Sequence, residues 1–439
     1  MMARLDLSRS EVSVLSAIQA ERQVTRAAVA SAVGLSTAMT ARVVTRLQAA
    51  GLIREAGRGV VNGPGRQALL LEIDPSAAYV VGLDVGTDIV HVLLADLQGT
   101  AVAYWEVSSS IFSDRARAEI ISLLSQLARQ AARDAGVDFR AVAAVGIAVT
   151  GIIDSDQGEC ILRSNTPGWE HFLVAESLGA ALGRPVLLEE TARAKSLAER
   201  RLGAAGPDAC PVGSFLYVDA GTAIGASLVV GGRPFRGIGG LAGELGHVTV
   251  DPGGALCRCG NRGCLQATAS ARAVLTQAKE LLGRGVYSSL AGQDETLTLA
   301  ELAAAADRGD KLALGVLTEA GERLGIAIAM ALNLLGLDLV VMGGALMRSG
   351  AVVLEAARRV VRLRVLPVVP RARTLTLAAL GSDAAARGMA LQAIDWLFEA
   401  PNERLMRSAS TLDQEIAGQT QSEGAELGEP STAIPVGSR

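Results

Sequence analysis

The chain has few aromatic residues: tryptophan, tyrosine and phenylalanine together make up 3% of its 439 residues. Half of the chain is nonetheless hydrophobic, so its cores must be built from alanine, valine and leucine. Long apolar runs are also lacking. The most apolar run, residues 324–337, spans 14 residues and is stopped by Arg323 and Asp338. That run is too short to cross a bilayer and is typical of a buried helix.

A secretory leader is not recognisable, because Arg4 and Asp6 interrupt the start of the chain. We therefore expect a cytoplasmic protein that contacts no membrane. The length predicts two or three domains, and the formal charge of −4 excludes no partner by itself. The charge is uneven, however, since residues 1–70 hold nine arginines against four acids. That end of the chain could bind a polyanion.

Residues 8–55 show the pattern of three short helices. Ser8 or Ser10 can cap the first helix and Thr25 the second, and a turn at residues 34–36 leads into a third helix over residues 37–50. Gly51 then ends the third helix. A short glycine-containing turn between the second and third helices is typical of a helix-turn-helix. Residues 53–55 and 68–73, separated by a glycine-rich stretch, predict a two-stranded wing.

The third helix carries side chains suited to base edges and phosphates, and the wing carries two further arginines. The candidate DNA-binding residues are Thr37, Thr40, Arg42, Arg46, Arg58 and Arg66. The alternative is a three-helix interaction module with no role in nucleic-acid binding. The excess of arginine, and the absence of acids from the third helix, favour DNA.

The tetrapeptide pattern Asp-x-Gly-Thr occurs twice between predicted strands, beginning at Asp84 and at Asp219. A strand over residues 78–83 precedes the first turn, and a strand over residues 214–218 precedes the second. Strands then follow both turns. This repeat predicts two α/β lobes of similar topology that face a cleft. A helix over residues 189–201, which would open with two carboxylates, is predicted between the lobes.

Three of the five cysteines are clustered in a glycine-rich loop. Cys257, Cys259 and Cys264 lie within eight residues, and His247 lies ten residues before the first of them. Three thiolates and one imidazole suit a tetrahedral zinc ion with no open position, so the metal would be structural. Free buried thiols are the alternative. A disulfide is disfavoured, because a cytosolic chain is kept reduced.

These features together resemble the ROK family of repressors, open reading frames and kinases. The most specific matches are Glu244-Leu245-Gly246-His247 and the spacing Cys257-x-Cys259-Gly260-x-x-Gly263-Cys264. The resemblance extends to about residue 395. It implies an actin- and hexokinase-like fold of two ribonuclease-H-like lobes closing on a sugar. Family kinases use ATP and magnesium, whereas family repressors carry an N-terminal winged helix and respond to a sugar or to a partner protein.

Several departures from the kinase pattern lie at positions that family kinases use for phosphoryl transfer. Family kinases have Glu-Asn-Asp-Ala-Asn where this chain has Glu-Glu-Thr-Ala-Arg, so Thr191 replaces the aspartate that accepts the sugar proton. A threonine hydroxyl is no general base near neutral pH. The first phosphate turn lacks one glycine and carries Asp88, whose charge would repel phosphate. The second turn has Ala223 where the family has glycine.

The sugar contacts implied by the resemblance are partly retained. Glu244 and His247 would contact ring hydroxyls, with His247 also binding the metal through its other nitrogen. Gln266 stands where the family has glutamate, and Glu190 where it has asparagine. With Thr191 these residues form a candidate pocket for a polyol other than glucose. The alternative is a degenerate pocket that binds nothing.

We therefore expect an α/β protein with an N-terminal winged helix-turn-helix at 1–75, a first lobe at 76–190, a second lobe with the zinc loop at 191–400 and a disordered tail at 401–439. The expected function is a sugar-responsive regulator, most simply a repressor, that binds an operator as a homodimer or tetramer and is not an enzyme. Two alternatives remain: a sugar kinase with a fused DNA-binding domain, and a regulator controlled by a protein partner.

Overall fold

The computed structural model describes residues 7–58, 68–112, 115–163, 168–293, 295–348, 350–367 and 374–398. The predicted tail, the outer part of the wing and Arg66 lie outside these residues. Within them, no single helix is long and apolar enough to cross a membrane. The second and third helices pass that test only as a bent pair, by length and composition.

The N-terminal head contains three helices and a small sheet. Its elements are α1 (Arg9–Glu21), β1 (Val24–Thr25), α2 (Arg26–Val33), α3 (Thr37–Ala49), β2 (Ile53–Arg58) and β3 (Leu69–Ile73). The predicted caps are confirmed, because Ser8 forms a capping box with Glu11 and Thr25 accepts a hydrogen bond from the Ala28 amide. The sheet has three strands in the order β1-β3-β2, rather than the two that the sequence predicted, because Val24 pairs with Leu71.

The first lobe follows the head directly. Its elements are β4 (Tyr79–Val85), β5 (Ile89–Asp96), β6 (Ala101–Ser108), α4 (Arg117–Asp134), β7 (Val142–Val149), β8 (Ile152–Asp154), β9 (Glu159–Leu162), α5 (Val174–Leu182) and β10 (Val186–Glu190). The sheet order is β10-β7-β4-β5-β6, with β4, β7 and β10 parallel and β5 antiparallel to both of its neighbours. The edge strand β6 and the β8–β9 hairpin were not predicted.

The second lobe repeats this topology after the linking helix α6 (Thr191–Leu202). Its elements are β11 (Phe215–Ala220), β12 (Ile224–Val230), β13 (Arg233–Pro234), α7 (Leu265–Ala269), α8 (Ala271–Gly283), α9 (Leu299–Asp307), α10 (Lys311–Leu335), β14 (Leu339–Gly343), α11 (Ala351–Arg364) and β15 (Thr374–Leu377). The last helix, α12 (Ala384–Phe398), falls within the expected range of the second lobe but packs on the sheet of the first. The sheet order β13-β12-β11-β14-β15 matches that of the first lobe. The prediction of two similar lobes is thus confirmed.

Helices α6 and α12 lie between the two sheets. Helix α12 packs on β4 and β7, and α6 packs on β11 and β12. Glycines permit this closeness: a Cβ at Gly82 would lie 2.0 Å from the Ala386 carbonyl oxygen, and one at Gly388 would lie 1.9 Å from that of Ala194. Helix α12 was not predicted. The other helices cover the outer faces, α4 and α5 on the first sheet and α7 to α11 on the second.

The apolar core of the head continues into the first lobe. One cluster of buried residues contains Leu47 of α3, Leu71 of β3, Leu93 of β5 and the last turn of α12 with Ile394 and Phe398. Because these side chains share one core, the head packs directly against the first lobe. A shift of α12 would therefore require the core of the head to repack.

Candidate functional site

The predicted metal ligands lie together in the loop before α7. The ligand atoms of His247, Cys257, Cys259 and Cys264 all lie within 4.8 Å of one another. The Sγ atoms of Cys259 and Cys264 are 3.6 Å apart, and Cys257 Sγ lies 3.8 Å from His247 Nδ1. These separations suit the edges of a tetrahedron built on metal–sulfur bonds of about 2.3 Å. The four residues could therefore hold a metal ion.

The backbone around this cluster depends on glycine. Gly263 has φ +69°, and a Cβ there would lie 1.5 Å from the Asp251 carbonyl oxygen. The loop is closed by single bridges that pair Thr249 with Cys264 and Leu256 with Arg262. Any other residue at position 263 would push the loop off Asp251 and separate the ligands.

Two predicted sugar contacts flank the cluster. The Nε2 atom of His247 faces Glu244, whose Oε2 atom lies 3.7 Å away, so the histidine presents one nitrogen to the cysteines and the other to the carboxylate. Burial raises the pKa of Glu244 above its usual value. Gln266 donates from Nε2 to Cys257 Sγ at 3.5 Å. The glutamine therefore supports a ligand sulfur, a contact that the sequence analysis did not anticipate.

Thr191 lies at the start of α6 and contacts the first Asp-x-Gly-Thr turn. Its Oγ1 atom donates to Asp84 Oδ1 at 3.4 Å and lies 3.2 Å from the Thr150 hydroxyl oxygen. Burial raises the pKa of Asp84 to about 6. Nothing in these contacts turns the Thr191 hydroxyl into a base, because its neighbours are a carboxylate and a second hydroxyl.

Lys195 lies one helical turn after Thr191 and contacts the second turn. Its Nζ atom donates to Asp219 Oδ2 at 2.7 Å. Burial alone would lower the pKa of Lys195, but the charges of Asp219 and Asp84 raise it above its ordinary value. The two turns also meet directly, since Thr222 Oγ1 donates to Asp88 Oδ2 at 3.1 Å. Asp88 thus uses its carboxylate as a contact between the lobes.

Glu190 ends strand β10 and caps α6, so the prediction that both carboxylates open the helix itself is wrong. Its Oε2 atom accepts a hydrogen bond from the Arg193 amide at 3.0 Å, because an extended residue before a helix can reach the free amides of the first turn. Burial raises the pKa of Glu190 to about 7. This carboxyl group is therefore poised between its acid and its carboxylate form near neutral pH.

The neighbouring Glu189 is fully buried and forms an ion cluster that spans the lobes. Its carboxylate accepts from Arg193 Nε at 2.6 Å, from Arg236 Nη2 at 2.8 Å and from the Ser155 hydroxyl at 2.8 Å. Burial alone would raise the pKa of Glu189, but the charges of Arg236 and Arg193 outweigh it and hold the pKa at about 2. Arg236 also contacts Asp156 at 3.1 Å.

Arg193 extends this cluster to the loop that carries the metal ligands. Its guanidinium donates to the Gly240 carbonyl at 2.9 Å in the second lobe and to the Ile153 carbonyl at 3.2 Å in the first. The side chain is 1% exposed. Arg193 therefore positions the segment that leads into Glu244 relative to the β8–β9 hairpin.

The outer face of α3 is the candidate DNA-binding surface. Thr37 and Arg42 are exposed, as is Met39, which the sequence analysis did not single out. Arg46 is exposed too, although its Nε atom lies 3.2 Å from Glu11. The side chain of Arg58 is outside the described residues.

Thr40 does not belong to the exposed face of α3, and its assignment to DNA contact is corrected. It is 1% exposed, because it lies on the same helical face as the buried Val43, Val44 and Leu47. Its hydroxyl has no hydrogen-bond partner in the part of the chain that the structure describes. In this position the side chain faces the core of the head and cannot reach a base.

Comparison with known families and proteins agrees with this architecture. The model of the ROK family matches residues 80–395, and a model described as winged helix-turn-helix DNA-binding matches residues 7–54. A protein named putative xylose repressor from Caldicellulosiruptor sp. is 30% identical over 357 residues, covering 81% of this chain and 88% of the relative.

A solved ROK family transcriptional regulator, described as a homologue of the E. coli MLC protein, superimposes with a TM-score of 0.75 at 25% identity. It covers 91% of this chain and 98% of its own. A glucokinase from Halalkalibacterium halodurans is 30% identical over 317 residues, covering 71% of this chain and 94% of the enzyme. The similarity to the regulators thus spans more of the chain than the similarity to this kinase.

The buried ion cluster predicts a large loss of stability for Arg193→Ala. The substitution removes one of the two arginines that neutralise a carboxylate with no exposure, and the cost of such a change is about 3–5 kcal/mol. Arg201→Ala is the matched control on the same helix. It breaks a pair with Asp395 that is more than one third exposed, and should cost about 1 kcal/mol or less. Urea denaturation followed by circular dichroism compares them, and equal losses would contradict this reading.

Proposed function

Because the chain belongs to the ROK family and carries a winged helix-turn-helix head, we propose that it is a transcriptional repressor whose affinity for operator DNA is set by a sugar in the cleft between its lobes. The observation that carries the proposal is the continuous apolar core joining the head to the first lobe. That core gives a change in the cleft a physical route to the DNA-binding surface.

On this proposal, α3 enters the major groove of the operator. Thr37 and Arg42 would contact base edges or phosphates, and Met39 would contact an apolar base surface such as a thymine methyl group. Arg46 would exchange its contact with Glu11 for a phosphate. A homodimer, or a tetramer built from dimers, would present two such helices to successive major grooves of an inverted repeat.

The proposed sugar pocket comprises Glu190, Thr191, Glu244, His247 and Gln266. Glu190 and Thr191 lie where α6 begins. His247 belongs to the cysteine cluster, and Glu244 and Gln266 each contact one member of it. Carboxylates and the threonine hydroxyl can accept hydrogen bonds from sugar hydroxyls, while a protonated Glu190 can donate one. The relatives carry names such as xylose repressor, which places a pentose among the first sugars to try.

Helices α6 and α12 connect this pocket to the head. Helix α6 begins at the pocket. Near its other end, Arg201 Nη2 donates to both carboxylate oxygens of Asp395 in α12, at 2.6 Å to Oδ1 and 2.7 Å to Oδ2. Two residues away from Asp395, Leu397 belongs to the core that α12 shares with the head. A sugar that moves α6 would therefore move α12 and the head, and it can do so only through unequal affinity for the two arrangements.

The same site argues against phosphoryl transfer, although glucokinases are among the relatives. We propose that the chain is not a kinase, because a hydroxyl at position 191 cannot accept the proton of an attacking sugar. Glu190 cannot substitute readily, since one of its oxygens already caps α6. A kinase with a fused DNA-binding domain is the alternative, and its signature would be turnover of ATP with a sugar.

We further propose that the ion held by His247, Cys257, Cys259 and Cys264 is zinc. Three soft thiolates and an imidazole form the donor set that structural zinc sites use. All four positions are filled by the protein, so zinc would act here as a clamp and not as a Lewis acid. The clamp would hold Glu244 and His247 in place beside the sugar.

Arg42→Ala is expected to weaken binding to an operator obtained by selection from random duplexes. A lost base contact costs about 1–3 kcal/mol of binding free energy. Loss of a phosphate contact also reduces the slope of log K against log salt concentration by about one. Thr40→Val, two positions away, should leave affinity unchanged because that side chain is buried. Fluorescence anisotropy at several salt concentrations measures both, and a loss confined to Thr40→Val would contradict the assigned face.

The sugar response is tested with the same operator and a panel of pentoses and hexoses. At least one sugar should change operator affinity about tenfold, a coupling free energy of about 1.4 kcal/mol. Glu244→Gln should reduce the response to that sugar while leaving sugar-free DNA binding intact, whereas Glu176→Gln on the exposed face of α5 should change neither. No response to any sugar would favour control by a protein partner.

Elemental analysis tests the metal. Protein purified without chelators should contain one zinc per chain, and Cys259→Ser should lower that content because a hydroxyl is a poor replacement for a thiolate. Cys210→Ser is the matched control, since Cys210 lies outside the cluster and its Sγ atom donates to the Ser214 carbonyl. Full zinc content in both variants would remove the proposed site.

A further inference from the structure

Lys195 holds an unusual position between the two Asp-x-Gly-Thr turns. It lies four residues after Thr191, so both side chains project from the same side of α6. Thr191 donates to Asp84 of the first lobe, and Lys195 donates to Asp219 of the second at 2.7 Å. One helix thus donates a hydrogen bond to one aspartate of each lobe.

The charges that act most strongly on Lys195 are negative. Asp219 and Asp84 act on its ammonium most strongly, and Glu190 adds a weaker effect of the same sign. Only one oxygen of Asp219 is used: the buried Oδ1 atom has no hydrogen-bond partner among the residues described. The site therefore offers buried carboxylate oxygens from two lobes. The Lys195 ammonium donates to Asp219, while the Arg163 guanidinium acts on Asp84 from within the first lobe.

Such a set of oxygens would suit a divalent cation if the ammonium were absent. Magnesium in phosphoryl-transfer sites is held by one or two carboxylates together with the phosphates of the nucleotide. Here the ammonium already occupies hydrogen-bonding distance of Asp219, and its positive charge would repel a metal ion placed beside it. The residues present do not fit the magnesium that family kinases use with ATP.

We propose that the Lys195 ammonium is a built-in replacement for a divalent cation, which joins the aspartates of the two lobes and closes the cleft to metal–nucleotide complexes. The replacement is permanent, because the cation is part of the chain. The proposal goes beyond the sugar response and does not depend on it. It implies that removing the ammonium uncovers a site for a divalent metal ion.

The test is Mn2+ binding to the full-length, zinc-containing protein, followed through the electron paramagnetic resonance of free Mn2+. Lys195→Met keeps the length of the side chain and removes its charge, and should bind Mn2+ at least about tenfold more tightly than the unaltered protein. Lys195→Met combined with Asp219→Asn should lose this gain. Lys311→Met, which removes an exposed lysine, should bind Mn2+ as the unaltered protein does.

Equal Mn2+ affinity in the unaltered protein and Lys195→Met would overturn the proposal, as would a gain that survives Asp219→Asn. Should Lys195→Met be unfolded without metal, recovery of its circular dichroism spectrum on addition of Mn2+ would support the proposal. Lys195→Gln is the second variant. Failure of both neutral variants to fold with or without Mn2+ would show that a metal cannot take the place of the ammonium, and would also overturn it.

Discussion

The buried carboxylate of Glu189 is the constraint on which the arrangement of the lobes depends. It has no exposure and is neutralised by Arg193 of α6 and Arg236 of the second lobe. A carboxylate without water needs such partners, so neither arginine can move far without exposing an unpaired charge. The cluster therefore holds the start of α6 in the arrangement that the structure shows. From that start the helix directs Thr191 and Lys195 towards the aspartates of the two turns.

The same helix explains how a fold shared with kinases can serve a regulator. On the account proposed above, position 191 supplies a hydroxyl where phosphoryl transfer requires a base, and position 195 supplies an ammonium where a nucleotide would bring a metal ion. Both side chains donate to the aspartates of the turns, whereas Glu244 and His247 contact each other and the cysteine cluster. Sugar binding and sugar phosphorylation make separate demands on the site, so one can be retained while the other is lost.

Much of the architecture could be predicted because its signals are local. Helix caps, the repeated Asp-x-Gly-Thr turns and the spacing of three cysteines each lie within a few residues, and the structure has the caps, the two similar lobes and the clustered ligands. The burial of Thr40 could also be predicted, since residues 40, 43, 44 and 47 lie on one face of α3. The polar hydroxyl of Thr40 favoured the wrong assignment to the exposed face.

Other features depend on contacts between distant segments. Helix α12 is buried between a sheet and α6, so it is apolar on nearly every side and contains Gly388 where the backbones approach closely. It therefore lacks the hydrophobic periodicity that marks a surface helix. The sequence around Lys195 does not indicate its partner, because Asp219 lies 24 residues away in the second lobe. Glu190 looked like a helical residue, but the strand before it extends to that position and makes it a cap.

The central claim is that the cleft binds a sugar without phosphorylating it, and the most direct measurement is phosphoryl transfer itself. The purified protein would be incubated with magnesium, ATP labelled at the γ-phosphate and each of a panel of pentoses and hexoses, and the label on the sugar counted. The account predicts transfer no faster than in the absence of protein. A sugar phosphate formed at an enzyme-like turnover would contradict it.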